Sequence, residues 1–191
     1  PVIGYSGAVA QWFDFELLDL VAASFPHASI VMVGPLFGER AEALRRLAER
    51  RGNVHHLGSK PYERLGAYIA AMDVCIIPLA MNDLMRSADP NKIYEYAACG
   101  RAIVTMRHSD DLAALSGLLY VADTREEFVE SVRLALASGA NQEKLREFAR
   151  ERSWQARADR IASLIRETIA AGRRGPDGGR GADAGGPAGT T

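Results

Sequence analysis

Val74-Cys75-Ile76-Ile77 is an unbroken apolar run between Asp73 and Pro78. A strand with one wet face alternates apolar and polar residues, whereas a strand that stays apolar throughout is covered on both faces, the habit of parallel sheets flanked by helices. Similar short runs recur along the chain and predict strands over Val2–Tyr5, Ser29–Val33, Val54–Leu57, Val74–Pro78, Ala102–Thr105 and Leu118–Val121. Between them the apolar spacing changes to the helical period. Leu17, Leu18, Val21 and Ala22 mark a helix over Phe15–Phe25, and Ala43, Leu44, Leu47 and Ala48 mark another over Glu39–Arg51. Two more are expected over Glu63–Ala71 and Pro90–Cys99, and beyond Asp123 the pattern is helical only, over Arg125–Ala137, Asn141–Arg152 and Gln155–Ala171. Strands alternating with helices predict an α/β fold, a Rossmann-like doubly wound parallel sheet of about six strands with C-terminal helices. In such a sheet ligands bind at the carboxyl ends of the strands, here the loops after Tyr5, Val33, Leu57, Pro78 and Thr105.

Residues 172–191 read GRRGPDGGRGADAGGPAGTT, without an aromatic or a large aliphatic side chain. Such a segment cannot bury enough apolar surface to offset the entropy of ordering, so an ordered domain over 1–171 and a disordered tail are expected. The chain begins at Pro1 and enters a strand directly, with no charged region or cleavage site of a secretory leader, so it reads as a piece of a longer polypeptide. Twenty-three Lys and Arg face 24 Asp and Glu, a net charge of −1, which excludes a strongly basic nucleic-acid footprint. No apolar run reaches the ~18 residues that span a bilayer. Cys75 and Cys99 stand in apolar surroundings without CxxC spacing and read as reduced core residues of a cytoplasmic protein.

After the first strand comes Gly4-Tyr5-Ser6-Gly7-Ala8. A glycine there either lets backbone N–H groups approach a phosphate or makes a tight turn, and both readings stand. A dinucleotide fingerprint would need G-x-G-x-x-G and an acidic end to the second strand, but that strand ends Val33-Gly34-Pro35. Ser6 as a hydrolase nucleophile would need a histidine late in the chain, and the last one is His108. His55 and His56 alternate across a strand end and do not form a ligand pair, while His108 is at most a crevice-lining residue. Asp14 and Glu16 fall at a helix start and read as complements to its dipole.

The segment Ala88-Asp89-Pro90-Asn91-Lys92-Ile93-Tyr94-Glu95-Tyr96-Ala97-Ala98-Cys99-Gly100 is punctuated as a short helix, with Asp89 as cap, Pro90 in the first position and Gly100 past the end. Lys92 and Glu95 lie three apart on one face. The helix start and Lys92 suit an anion, and an ionised Glu95 suits the adjacent hydroxyls of a ribose. The alternative is a surface ion pair between them.

Four blocks in order, Asn53-Val54-His55-His56-Leu57-Gly58-Ser59-Lys60-Pro61-Tyr62, Ala71-Met72-Asp73-Val74-Cys75-Ile76-Ile77-Pro78, Pro90-Asn91-Lys92-Ile93-Tyr94-Glu95-Tyr96 and Gly100-Arg101-Ala102-Ile103-Val104, make the chain resemble the carboxy-terminal half of GT-B glycosyltransferases. It is most similar to the family-4-like enzymes that build bacterial surface polysaccharides, including the teichuronic-acid type. Gly4-Tyr5-Ser6-Gly7 followed by Trp12-Phe13-Asp14, and Ser153-Trp154 before the last helix, fit the same half. The resemblance implies a hexosyltransferase-type enzyme whose donor is a UDP- or GDP-sugar, with no cofactor or metal. Lys92 would neutralise the diphosphate and Glu95 hold the ribose, as the catalytic pair, with Gly7, Gly34, Gly58, Ser59, Lys60, Pro90 and Asn91 lining the donor. Many members have a glutamate eight positions before the ribose-binding one, where Ser87 stands here, and Gln11 and Trp12 replace a cationic pair after the first strand. The diphosphate charge is then expected on Lys92, with Lys60 or Arg86 beside it. The acceptor would be held by an amino-terminal domain outside this chain, which would leave the chain inactive by itself, and the whole enzyme would work at the inner face of the membrane. A stand-alone flavodoxin-like binding module, and half of a sugar-nucleotide 2-epimerase, are the alternatives.

Overall fold

The computed structural model describes residues 1–80, 85 and 90–172, with side chains to residue 170. The expectations for Arg86, Ser87 and Asp89, and for the tail after Gly172, lie outside the described residues. Strands β1 (Val2–Ser6), β2 (Ser29–Val33), β3 (Val54–His56), β4 (Val74–Ile77), β5 (Ala102–Met106) and β6 (Tyr120–Ala122) form one sheet in the order β3-β2-β1-β4-β5-β6. Every pairing is parallel. The order reverses between β1 and β4, and that reversal opens a crevice at their carboxyl ends. The helices are α1 (Phe15–Ser24), α2 (Arg40–Arg51), α3 (Tyr62–Ala70), α4 (Asn91–Ala98), α5 (Arg125–Ser138) and α6 (Gln142–Glu151), with a 3₁₀ turn over Asp110–Leu115. The helix α7 (Trp154–Gly172) belongs to a second compact unit and carries exposed Ile161, Leu164, Ile165 and Ile169 at helical spacing.

The apolar strands divide their side chains between two cores, as a doubly covered sheet requires. Ile3 and Tyr5 of β1, Val74 and Ile76 of β4, and Val104 of β5 meet Leu17 and Leu18 of α1, Leu44 and Leu47 of α2, and Phe128 and Val132 of α5. Cys75, Ile77 and Ile103 point the other way, onto Ile69 of α3, Ile93 and Tyr96 of α4, and Leu145 and Phe148 of α6. Each fully buried aliphatic side chain contributes about 1.5–3 kcal/mol. Side chains cap three of the helices: Asp14 accepts from the Leu17 N–H, Thr124 from Glu127, and Asn141 from Lys144. The Asn53 amide donates to the carbonyls of Ala22, Phe25 and Ala28 and so fixes the turn between α1 and β2.

Besides one-residue shifts at other element ends, three details differ from the sequence expectation. The last strand starts at Tyr120 rather than Leu118, because the Leu118 and Leu119 N–H groups both turn back onto the Leu115 carbonyl. Pro90 caps α4 from outside, and Asn91 takes the first helical position. Cys75 is buried, and burial pushes its thiol well above the ordinary value, but Cys99 is only half-buried and is not a core residue.

Gly4 lies where β1 crosses beneath Met72, and a Cβ at that position would collide with the Met72 thioether. Gly4→Ala should therefore lower stability by about 1–3 kcal/mol, the usual cost of overpacking. In urea unfolding, the pair Gly4→Ala with Met72→Ala should lose less than the sum of the two single losses, because the second change makes room for the first.

Candidate functional site

The loops after β1, β2 and β3 are laced together by their backbones. The Gly7 N–H donates to the Val33 carbonyl at 2.8 Å, and the Gly34 N–H donates to the Gly58 carbonyl at 3.0 Å. His56 Nε2 lies 2.8 Å from the Gly34 carbonyl oxygen. Gly7 and Gly34 have φ of 143° and 136°, a region that L side chains rarely adopt. A side chain at Gly34 would strike the Gly7 backbone, so the two loops touch main chain to main chain.

That packing corrects one reading of the first loop. The Gly7 N–H is already spent on Val33 and is not held out to a phosphate. The missing Cβ does something else: it admits Lys92, whose Cε and Nζ occupy the space that a side chain at position 7 would fill. The Lys92 ammonium also lies 5.3 Å from the centre of the Tyr5 ring, in cation–π range. Lys92 thus leaves the first turn of α4 and crosses the end of β1. Tyr5 itself donates through its hydroxyl to the Ala8 carbonyl at 2.7 Å, which fixes the ring under the lysine.

Glu95 stands one turn further along α4, half-buried like Lys92. Among the described residues no ion pair joins the two, so the surface salt bridge that their spacing allows is not formed. Their charges still feel one another. Burial pushes the Lys92 ammonium below the ordinary lysine value, against the pull of Glu95. Burial likewise raises the Glu95 carboxyl above its ordinary value, against the pull of Lys92. In both, desolvation outweighs the attraction between them. No side chain among the described residues caps α4, unlike α1, α5 and α6, and the positive end of its dipole lies beside Lys92.

The structure brings Gly7, Gly34 and Gly58 together through their backbones and sets Lys92 on Gly7. Pro90 and Asn91 lie at the start of α4, and Ser59 follows Gly58 in the loop before α3. Lys60 is engaged elsewhere, its ammonium 5.6 Å from the centre of the Tyr68 ring on α3. His108 is buried, with Nδ1 3.2 Å from the Met106 carbonyl oxygen. Asp14 and Glu16 do more than complement a dipole. Both hold Arg125 at the start of α5, at 2.9 and 2.6 Å, on one wall of a cavity of about 600 Å³ that Phe13, Phe15 and Arg40 also line. Two participants were missed in the sequence, Tyr5 under the lysine and Tyr96 behind it. The signal for Tyr96 was present: a tyrosine on the buried face of a helix beside a site needs a partner for its hydroxyl.

The Glu95 shift gives a signed prediction. A carboxyl whose folded-state pKa lies above the unfolded value of 4.5 binds more protons folded than unfolded, so stability falls as pH rises from 4.5 through the folded pKa. Glu95→Gln removes that loss. Its urea midpoint should equal or exceed that of the parent at pH 7, and the difference should shrink as pH is lowered toward 4.5.

The sequence pattern of the family Glycosyl transferases group 1 matches residues 1–138. No curated protein matches the chain in sequence. Solved structures do match in fold. Alr3699/HepE of Anabaena, in complex with UDP and glucose, superposes with a TM-score of 0.67 at 17% identity, over 89% of this chain and 48% of that one. AviGT4, a glycosyltransferase involved in avilamycin A biosynthesis, gives 0.63 at 20% identity over 88% and 52%. WaaG, a glycosyltransferase involved in lipopolysaccharide biosynthesis, gives 0.64 at 18% over 86% and 46%. The chain therefore spans about half the length of these structures. Its Rossmann-like sheet is that of GT-B glycosyltransferases, and the chain belongs to the glycosyl transferases group 1 family.

Proposed function

We propose that this chain is the donor-binding half of a glycosyltransferase, and that it holds a nucleoside-diphosphate sugar at the carboxyl end of its sheet. The observation that carries the reading is the pair on α4: a lysine laid across a glycine at the β1 end, and a carboxylate one turn away with no ion-pair partner among the described residues. The diphosphate takes its counter-charge from Lys92 and from the start of α4, with Pro90 and Asn91 beside it. Glu95, as an acceptor, takes the two ribose hydroxyls. Gly58, Ser59 and Lys60 border the base, and Gly34 backs the Gly7 loop. The UDP bound in Alr3699/HepE, with and without glucose, supports a donor of this class.

During transfer, negative charge grows on the leaving diphosphate as the bond to the sugar breaks. A cation already fixed and partly desolvated stabilises that charge without reorganising at the moment of reaction. Lys92 meets this description, since the Tyr5 ring and the Gly7 backbone hold it before any donor arrives. The acceptor, a saccharide or a lipid-linked saccharide, belongs to an amino-terminal domain that closes over the donor. This chain alone then binds nucleotide without transferring sugar. Among the described residues no helix is long and apolar enough to cross a membrane, and we place the whole enzyme in the cytoplasm, at the inner membrane face. The specific reading is a family-4-like hexosyltransferase of surface-polysaccharide synthesis, of the teichuronic-acid type.

Calorimetric titration with UDP and GDP tests the proposal. One of them should bind the folded chain, and Glu95→Ala should weaken that binding by roughly 1.5–3 kcal/mol, the range for hydrogen bonds to a charged group. Silence with both nucleotides would favour a module that binds some other partner.

A further inference from the structure

β1 and β4 stay paired only through Ile3 with Val74 and Gly4 with Cys75, and then they part. Along β1 the backbone groups alternate in direction. Val2 accepts from the Asp73 N–H on the β4 side, whereas the Gly7 N–H donates to Val33 on the β2 side. By that alternation the N–H and C=O of Ser6 face the side of β4, where no strand pairs with them. Buried backbone groups left in this way are costly unless something else bonds them.

Tyr96 bonds both. The Ser6 N–H donates to the Tyr96 hydroxyl at 2.8 Å, and the same hydroxyl donates back to the Ser6 carbonyl at 3.2 Å, across 90 residues of sequence. Tyr96 is fully buried, and burial pushes its hydroxyl well above the ordinary tyrosine value, so it remains a neutral phenol able to donate and accept at once. One turn before it on the same face of α4 is Lys92. The hydroxyl grips Ser6, and the lysine one turn nearer the helix start reaches the next residue, Gly7.

We propose that Tyr96 is a positioning residue of the donor site: its hydroxyl replaces the absent strand partner of Ser6 and thereby sets the gap between α4 and the β1 end across which Lys92 must lie. The inference rests on the donor-binding reading above. Tyr96 touches no ligand itself. It acts through Lys92, so its loss bears on the diphosphate and not on the rest of the nucleotide.

Tyr96→Phe keeps the ring that fills the core and removes only the oxygen. Hydrogen exchange and calorimetry on the parent and variant chains test the inference, with UDP and UMP or with GDP and GMP, whichever pair the chain binds. In the variant the Ser6 amide should exchange roughly tenfold faster or more, while Ile3 and Gly4 change little. The preference for the diphosphate over the monophosphate should fall by roughly tenfold, with monophosphate affinity unchanged. Unchanged Ser6 exchange overturns the inference. So does faster exchange with an unaltered diphosphate preference, or an equal loss for both nucleotides, because the hydroxyl is then a stabilising contact only. If Ser6 exchanges faster but the parent binds no nucleotide, the donor reading has failed, and the inference falls with it although the hydrogen bond is real. Should the variant not fold, the parent decides alone: the diphosphate must protect the Ser6 and Gly7 amides more than the monophosphate does, and equal protection overturns the inference.

Discussion

The contact between the Gly7 carbonyl and the Gly34 backbone is the constraint on which the carboxyl edge of the sheet depends: it leaves no room for a side chain at Gly34, while the space over Gly7 is taken by Lys92. The loop after β1 can approach this closely only because Gly34 lacks a Cβ. The approach brings the ends of β1 and β2 together, and His56 and Gly58 extend the same seam to β3. With the loops drawn back, the surface above β1 is open to one long side chain from α4. Lys92 enters there and rests on the Tyr5 ring. The placement of a single positive charge thus follows from atoms absent at two glycines.

That placement takes two charged groups partly out of water. Lys92 and Glu95 both lose hydration, and the attraction between them does not make up the loss. A chain selected only for stability would carry apolar residues here, like Ile93 and Ala97 beside them on the same helix. Two opposite charges held close, half-buried and not paired with one another, are better matched to a ligand with an anionic and a hydroxyl-bearing part than to the protein alone. The other polar clusters differ in kind. Arg107 with Asp123, and Arg125 with Asp14 and Glu16, close their pairs within the protein.

The sheet was legible in the sequence because its strands are apolar on both faces, as in Val74–Ile77, and because Leu17, Leu18 and Val21 keep helical spacing beside them. The last strand was misplaced at its start, since Leu118 and Leu119 have strand composition but are held by a turn that no local pattern announces. The candidate site was legible in part. Lys92 and Glu95 stood out through the punctuation of their helix and their spacing, and Gly7 through its place after a strand. Their actual relations are long-range. Nothing near Lys92 says that it will lie on Tyr5, and nothing near Gly7 says that it gives way to a lysine rather than offering an N–H group. Tyr96 shows the same limit: its neighbours mark it as buried, but its partner Ser6 is 90 residues away.

The strand order carries a consequence for synthesis. Of the six strands β1 is the first made, and it ends at the centre of the sheet, with β2 on one side and β4 on the other. While a ribosome is still making the chain, β1, α1, β2, α2 and β3 can assemble as a small three-stranded sheet in which β1 is an edge strand, uncovered on the side that β4 will take. That edge presents unpaired backbone N–H and C=O groups between apolar side chains until Val74 and Cys75 emerge to pair with Ile3 and Gly4. Uncovered apolar edges invite association between chains. This domain is therefore most exposed to aggregation in the interval before its fourth strand docks.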